Sequence, residues 1–210
     1  MRKVQKIEKW VPHELNDRQM ERRQNTCQIL FTRQKRKSFL HRIVIGDEKW
    51  IYFQNPKRKK SWVDPAQSST SSSRPNLFGR KTMLCVWWDQ ESVIYYELLK
   101  SDETVNAHRY HQQLIKLHRA LREKRPHYRK RHDKLIFFHD NAPSHTSTMV
   151  QNYYLETQNW EVLPHSAYSP DLAPSDFYHF FSLMSHALAE RHFDSYEDVR
   201  KWLDVVYLER

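Results

Sequence analysis

Three aspartates in this chain, Asp47, Asp140 and Asp176, stand where apolar or proline-rich stretches end. Carboxylates are hard oxygen ligands, the kind that Mg²⁺ prefers. Three of them brought together can hold two divalent cations about 4 Å apart, one lowering the pKa of an attacking oxygen and the other stabilising the leaving oxygen. That arrangement suits phosphodiesters, which are anionic and need an activated oxygen nucleophile. Without cations the clustered carboxylates repel, so some of their pKa values should rise. Spacing alone is weak evidence, because an aspartate after a strand is more often a cap or turn former.

The surroundings of each aspartate set the elements that must position it. Leu135, Ile136, Phe137 and Phe138 form an unbroken apolar run that reads as a buried central strand. It stops at Asp140, with Asn141 and Pro143 as breakers. Carboxyl ends of buried strands are where open α/β sheets place their chemistry. Ile43 to Ile45 predict a first strand ending near Asp47, and Trp50 to Phe53 continue as strand. Asp176 follows the loop from Pro164 to Pro174, which holds three prolines. His139 and His145 flank Asp140, but neither has a second ligand at a helical spacing such as His-x-x-x-His, so zinc is disfavoured.

Composition narrows the partner. The chain has 210 residues, which suits one domain, and Lys+Arg 35 against Asp+Glu 25 leaves a net charge of +10. That excess fits a polyanion, nucleic acid before an anionic membrane. Only 2 Gly excludes glycine-rich phosphate loops. The two cysteines, Cys27 and Cys85, are too few for a disulfide framework or a thiolate zinc site and fit a reducing compartment. No apolar run approaches membrane-spanning length, and the basic N-terminus lacks the apolar core of a signal peptide.

Helical spacing of Met20, Cys27, Leu30 and Phe31, after a cap at Asn16 or Asp17, predicts a basic amphipathic helix packed on the sheet to about Lys37. Asn55 to Arg80 is a long break carrying Lys57, Arg58, Lys59 and Lys60, a candidate arm for phosphates. Lys81–Trp88 and Val93–Leu99 read as an antiparallel hairpin. Asp102 to Thr104 can cap a helix whose one face is Ala107, Tyr110, Leu114, Leu117 and Leu121. Further helices are expected from Thr146 to about Thr157, from Asp176 to about Ala189 capped by Ser175, and after a capping box at Ser195 to Asp198. Trp160–Leu163 completes five strands. The order gives an α/β chain with a mixed sheet and helices on both faces, the pattern of an RNase H-like fold.

Four motifs go further: Trp10-Val11-Pro12-His13-Glu14-Leu15, Ile45-Gly46-Asp47-Glu48-Lys49-Trp50, His139-Asp140-Asn141-Ala142-Pro143-Ser144-His145 and Tyr168-Ser169-Pro170-Asp171-Leu172-Ala173-Pro174. In this order they closely resemble the mariner branch of the Tc/mariner transposases, from about Trp10 to Tyr207. The resemblance implies an RNase H-like (retroviral integrase superfamily) catalytic domain over residues 16–210 and a linker over 1–15. It implies an Asp-Asp-Asp triad of Asp47, Asp140 and Asp176, with Asp171 the fallback for the third. These would be both catalytic and metal ligands for two Mg²⁺ or Mn²⁺ ions. It also implies hydrolysis at transposon ends and strand transfer into TA targets on double-stranded DNA. A homodimer working in the nucleus would use Trp10, Val11, Pro12, His13, Glu14 and Leu15 as linker contacts. Lys57, Arg58, Lys59 and Lys60 in a clamp-like loop, with Trp50 and His145, would be DNA-binding; no membrane or small-molecule cofactor is implied.

Two departures matter. Asp140 and Asp176 are one residue further apart than the family pattern, an insertion expected around Gln151 to Leu155. Family members also carry two helix-turn-helix units before the linker and continue past the last helix, so the chain is expected to be truncated at both ends. The competing reading is an inactive or domesticated DNA-binding fragment without inverted-repeat recognition. An RNase H-type nuclease on RNA–DNA hybrids is permitted by the fold alone.

Overall fold

The computed structural model describes residues 14–56, 79–126, 128, 134–153, 160–169, 172–177 and 180–208. Its centre is β1 (Ile43–Tyr52), a ten-residue strand that pairs antiparallel with β2 (Lys81–Trp88) from Ile45↔Trp88 to Tyr52↔Lys81. β2 pairs antiparallel with β3 (Val93–Leu98), with a register shift at Trp87/Trp88. On its other side β1 runs parallel to the short β4 (Ile136–Phe138), which runs parallel to β5 (Glu161–Val162). The sheet order is β3-β2-β1-β4-β5.

β1 differs from expectation in one way that matters. It does not end near Asp47 but runs straight through to Tyr52, taking in the expected continuation from Trp50. β2 is long enough to pair every residue from Ile45 to Tyr52, so the ladder carries the polar stretch Asp47-Glu48-Lys49. β4 by contrast meets β1 only at Ile43, Val44 and Ile45. Beyond Ile45↔Phe138 the sheet opens between the two strands.

Period-two alternation splits the core across the sheet. Val44, Cys85, Trp87 and Phe137 face α2 (Ala107–Lys124) and α3 (Thr148–Asn152), where Tyr110, Leu114, Leu117, Leu121 and Val150 complete one cluster. Leu84, Val86 and Ile51 face the other way, onto Phe181, Met184 and Leu188 of α5 (Phe180–Leu188) and Val199 and Leu203 of α6 (Tyr196–Leu208). A third cluster joins Phe39, Ile45, Ile136, Phe138 and Leu163. Helices therefore cover both faces of a mixed five-stranded sheet, the RNase H-like architecture.

α1 (Asp17–Arg36) starts on a full capping box: Asn16 Oδ1 accepts from Gln19 N at 2.9 Å and Gln19 Oε1 accepts from Asn16 N at 2.9 Å. Its predicted burial fails, for no residue of α1 is buried, and Met20, Ile29 and Phe31 are about half exposed or more. Leu30 packs on the third cluster, and the Arg33 guanidinium lies 4.4 Å over the Phe39 ring of that cluster while forking onto Glu161 of β5. α1 meets the sheet and the loop after β5 through Thr26, Leu30 and Arg33. Other boundaries moved too. Asn106, rather than Asp102 to Thr104, caps α2, accepting from Arg109 N at 2.9 Å. The helix expected from Asp176 is described as α4 (Pro174–Phe177) and α5 on either side of residues 178–179, which lie outside the described residues, and Ser175 lies inside α4 rather than capping it. The Ser195–Asp198 capping box is present at 3.2 Å and 3.0 Å.

Candidate active site

Asp47 and Asp140 each lie two residues past the last β1–β4 pair, Ile45↔Phe138. They share strand parity with that pair, and neighbouring strands sit about 4.8 Å apart. Both line one cavity of about 440 Å³, with Gly46, His139, Asn141, His165, Tyr168 and Ser169 among its walls. The cavity forms because β4 ends while β1 continues.

α4 reaches the same end of the sheet. It packs against β1, and Trp88 Nε1 donates to the buried Ser175 Oγ at 3.2 Å. Trp88 is itself the ladder partner of Ile45. The backbone of Asp176 thus follows a residue anchored beside the strand that carries Asp47; its side chain lies outside what the structure describes. Among the described residues no group of three His, Cys, Asp or Glu side chains has the geometry of a metal cluster. Two of the three predicted ligands are seen to share the cavity, and their donor chemistry fits a hard divalent cation.

Asp140 is strongly polarised. The hydrogen bond from His145 Nδ1 at 2.6 Å, helped by Ala142 N at 3.0 Å, outweighs burial and holds its carboxyl down at about 2. Burial disfavours a charged His145, yet hydrogen bonds to Asp140 and to Glu48 Oε1, at 3.2 Å from Nε2, push it up to about 9. His145 is therefore an imidazolium at neutral pH that donates from both nitrogens. Its ring stacks 4.0 Å from Tyr110. The Tyr110 hydroxyl lies 3.0 Å from His139 Nδ1, and burial together with the charge of His145 drives His139 down to about 3.

The expectation that His145 contacts DNA is corrected here: it is 2% exposed, both nitrogens are engaged, and it stands behind Asp140. Trp50 is partly exposed, with Lys81 Nζ 4.3 Å over its ring. Glu14 is exposed and Leu15 half-buried. Trp10, Val11, Pro12, His13, Lys57, Arg58, Lys59, Lys60 and Asp171 lie outside the described residues.

Sequence reasoning missed Glu48 and Tyr110. Parity offered a signal for Glu48: it shares a face with Val44 and Gly46, the face covered by α2. A carboxylate there needs a cationic or hydrogen-bonding partner.

A family model described as transposase (partial DDE domain) matches residues 52–131. The mariner Mos1 transposase of Drosophila mauritiana is 71% identical over 204 residues, 97% of this chain and 59% of that protein. The human histone-lysine N-methyltransferase SETMAR is 34% identical over 196 residues, 93% of this chain and 28% of that protein. The chain thus spans about 59% of the first relative's length. Among solved structures, the catalytic domain of Mos1 superposes with a TM-score of 0.79 at 63% identity, covering 96% of this chain and 86% of that one. A Mos1 paired-end complex with Mn superposes with a TM-score of 0.90 at 69% identity, covering 100% of this chain and 61% of that one. The Mos1 paired-end complex with Mg and the Mos1 strand transfer complex match over the same region.

Proposed function

The chain belongs to the mariner transposases and matches their catalytic domain, and from that premise we propose that it cuts phosphodiesters at transposon ends and joins the freed ends to TA sites in target DNA. Water attacks the phosphorus at a transposon end and releases a 3′-hydroxyl. That hydroxyl attacks a target phosphodiester, so one P–O bond forms as another breaks.

Asp47, Asp140 and Asp176 would hold two Mg²⁺ or Mn²⁺ ions. When bound, such ions make the attacking oxygen nucleophilic and stabilise the leaving one. The carrying observation is that Asp47 and Asp140 line one cavity at the open end of the β1–β4 ladder, with α4 packed on β1 beside it. The electrostatics support the same reading. Asp140 stays ionised over the whole neutral range, and His145 offsets negative charge behind it.

The partners follow from the substrate. Double-stranded DNA suits the +10 charge. Pairing two ends calls for a homodimer, with residues 10–15 as linker contacts and residues 55–80 as a clamp. Chromosomal DNA as target places the work in the nucleus. Incubating the chain with Mg²⁺ or Mn²⁺ and pre-cut mariner ends tests the reading. Strand-transfer product that needs divalent cation and disappears in Asp140→Ala is expected; equal product from that variant would overturn it.

The second reading, an inactive or domesticated DNA-binding fragment, is favoured by the net charge together with the extra residue between Asp140 and Asp176. It predicts salt-sensitive, sequence-indifferent duplex binding with no metal-dependent nicking.

A further inference from the structure

We propose that His145 is a positioning residue that fixes the Asp140 carboxylate for metal binding, and that Glu48 and Tyr110 hold it there. The inference rests on the reading of Asp140 as a metal ligand and adds how that ligand is set.

Asp140 Oδ1 receives both His145 Nδ1 at 2.6 Å and Ala142 N at 3.0 Å. Among the described residues, hydrogen bonds reach Asp140 through Oδ1 alone. A half-exposed carboxylate with no such restraint turns about its last torsion, which is broad and roughly two-fold. Two donors on one oxygen stop that rotation and would leave Oδ2 to serve a bound cation. His145 cannot serve substrate directly, because it is buried and both nitrogens are taken.

The same bridge does a second job. The backbone ladder between β1 and β4 ends at Ile45↔Phe138, before either aspartate. Past that point the described link between the two segments is Glu48–His145–Asp140, running from the neighbour of Asp47 on β1 to the loop after β4. Side chains thus replace the missing ladder and set the separation of Asp47 and Asp140. Tyr110, anchored through its hydroxyl to His139, backs the imidazole with its ring at 4.0 Å.

The test is Mn²⁺ affinity of the whole chain without DNA, read by the electron paramagnetic resonance of free Mn²⁺, with circular dichroism to verify folding. Outer-shell partners of ligands typically carry about 10- to 100-fold in metal affinity. His145→Ala is expected to weaken Mn²⁺ binding by that factor. Glu48→Ala should weaken it less, and Glu48→Gln, whose amide oxygen still accepts from Nε2, should restore most of the loss. A merely structural role would lower the melting temperature and leave the affinity of folded protein unchanged. If Asp140→Ala weakens Mn²⁺ binding and folded His145→Ala matches the parent, the inference is overturned while the metal reading survives. If Asp140→Ala itself matches the parent, the metal reading falls and takes the inference with it. Should His145→Ala fail to fold, the Glu48 pair decides: loss in Glu48→Ala with recovery in Glu48→Gln supports the bridge, and parent affinity in both overturns it.

Discussion

Gly46 lies directly under the indole of Trp87: a Cβ added there would sit 2.5 Å from Nε1 and 2.8 Å from Cδ1, with Phe137 Cζ at 3.2 Å. Glycine in a strand interior normally weakens it. Here the close crossing of a fully buried tryptophan, on the neighbouring strand, requires it. Neither Trp87 nor Phe137 can retreat without disturbing the core under α2.

Gly46→Ala is therefore expected to cost about 1–3 kcal/mol, as overpacking does. Urea denaturation followed by tryptophan fluorescence measures it. Because Gly46 immediately precedes Asp47, the displaced strand should also weaken Mn²⁺ binding. An alanine variant as stable as the parent would mean that the indole shifts freely.

Trp88 and Ser175 provide the second prediction. Trp88→Phe keeps an aromatic ring against Phe180, whose centroid lies 5.7 Å away, but removes the donor to Ser175 Oγ. The hydrogen bond removed is worth about 0.5–1.5 kcal/mol. Its effect falls on α4, the helix that carries Asp176, so metal-dependent strand transfer should drop by more than the small change in melting temperature accounts for. Equal activity at equal stability would separate α4 from the site.

Local signals were enough for α2 and for the hairpin. Leu114, Leu117 and Leu121 recur at helical steps, and Asp89-Gln90-Glu91-Ser92 divides two β-rich runs. The centre of β1 was not legible, because Asp47-Glu48-Lys49 is polar and only the register of β2, distant in sequence, keeps it extended. Met20 and Phe31 look like core residues by spacing, but both are left exposed, and nothing within α1 itself reveals that. In the site, Asp47 and Asp140 were readable as acids at the ends of apolar runs. The bridge between them was not, since Glu48 and His145 meet through the parallel pairing of β1 and β4.

The third prediction concerns the hairpin turn. Asp89 accepts Arg125 Nε at 2.9 Å and Nη2 at 3.0 Å, and both residues are buried. Removing Asp89 leaves the buried Arg125 with only the half-exposed Glu91 as a carboxylate partner among the described residues, its Oε2 lying 3.2 Å from Nε. Asp89→Ala should therefore cost less than the about 3–5 kcal/mol of a fully uncompensated buried charge, but still more than about 1 kcal/mol. Burial raises the Asp89 pKa, but the Arg125 hydrogen bonds and the Ser92 and Glu91 amides more than offset it and leave it below 3.8. The folded pKa is thus depressed. The stabilisation is complete above the unfolded value near 3.8 and is lost as pH falls through the lower folded value. Urea midpoints from about pH 7 down to about pH 2 should decline more steeply for the parent than for Asp89→Asn in the acid range; parallel curves would count against the pair.

The last prediction concerns the basic cluster Lys57, Arg58, Lys59 and Lys60, which lies outside the described residues and whose role is argued from charge. If these side chains meet phosphates, each neutralised phosphate releases condensed counterions, and log K falls against log salt with a slope of about −0.9 per phosphate. Replacing all four by glutamine should weaken duplex binding about equally for transposon-end and unrelated sequences, because phosphate contacts carry no base information. It should also flatten the salt dependence by about 0.9 for each phosphate the variant no longer neutralises. Fluorescence anisotropy on both duplexes across a salt series reads the two effects together. A variant that binds more weakly at every salt concentration with an unchanged slope would be impaired in something other than phosphate neutralisation, and the cluster would then have no part in holding DNA.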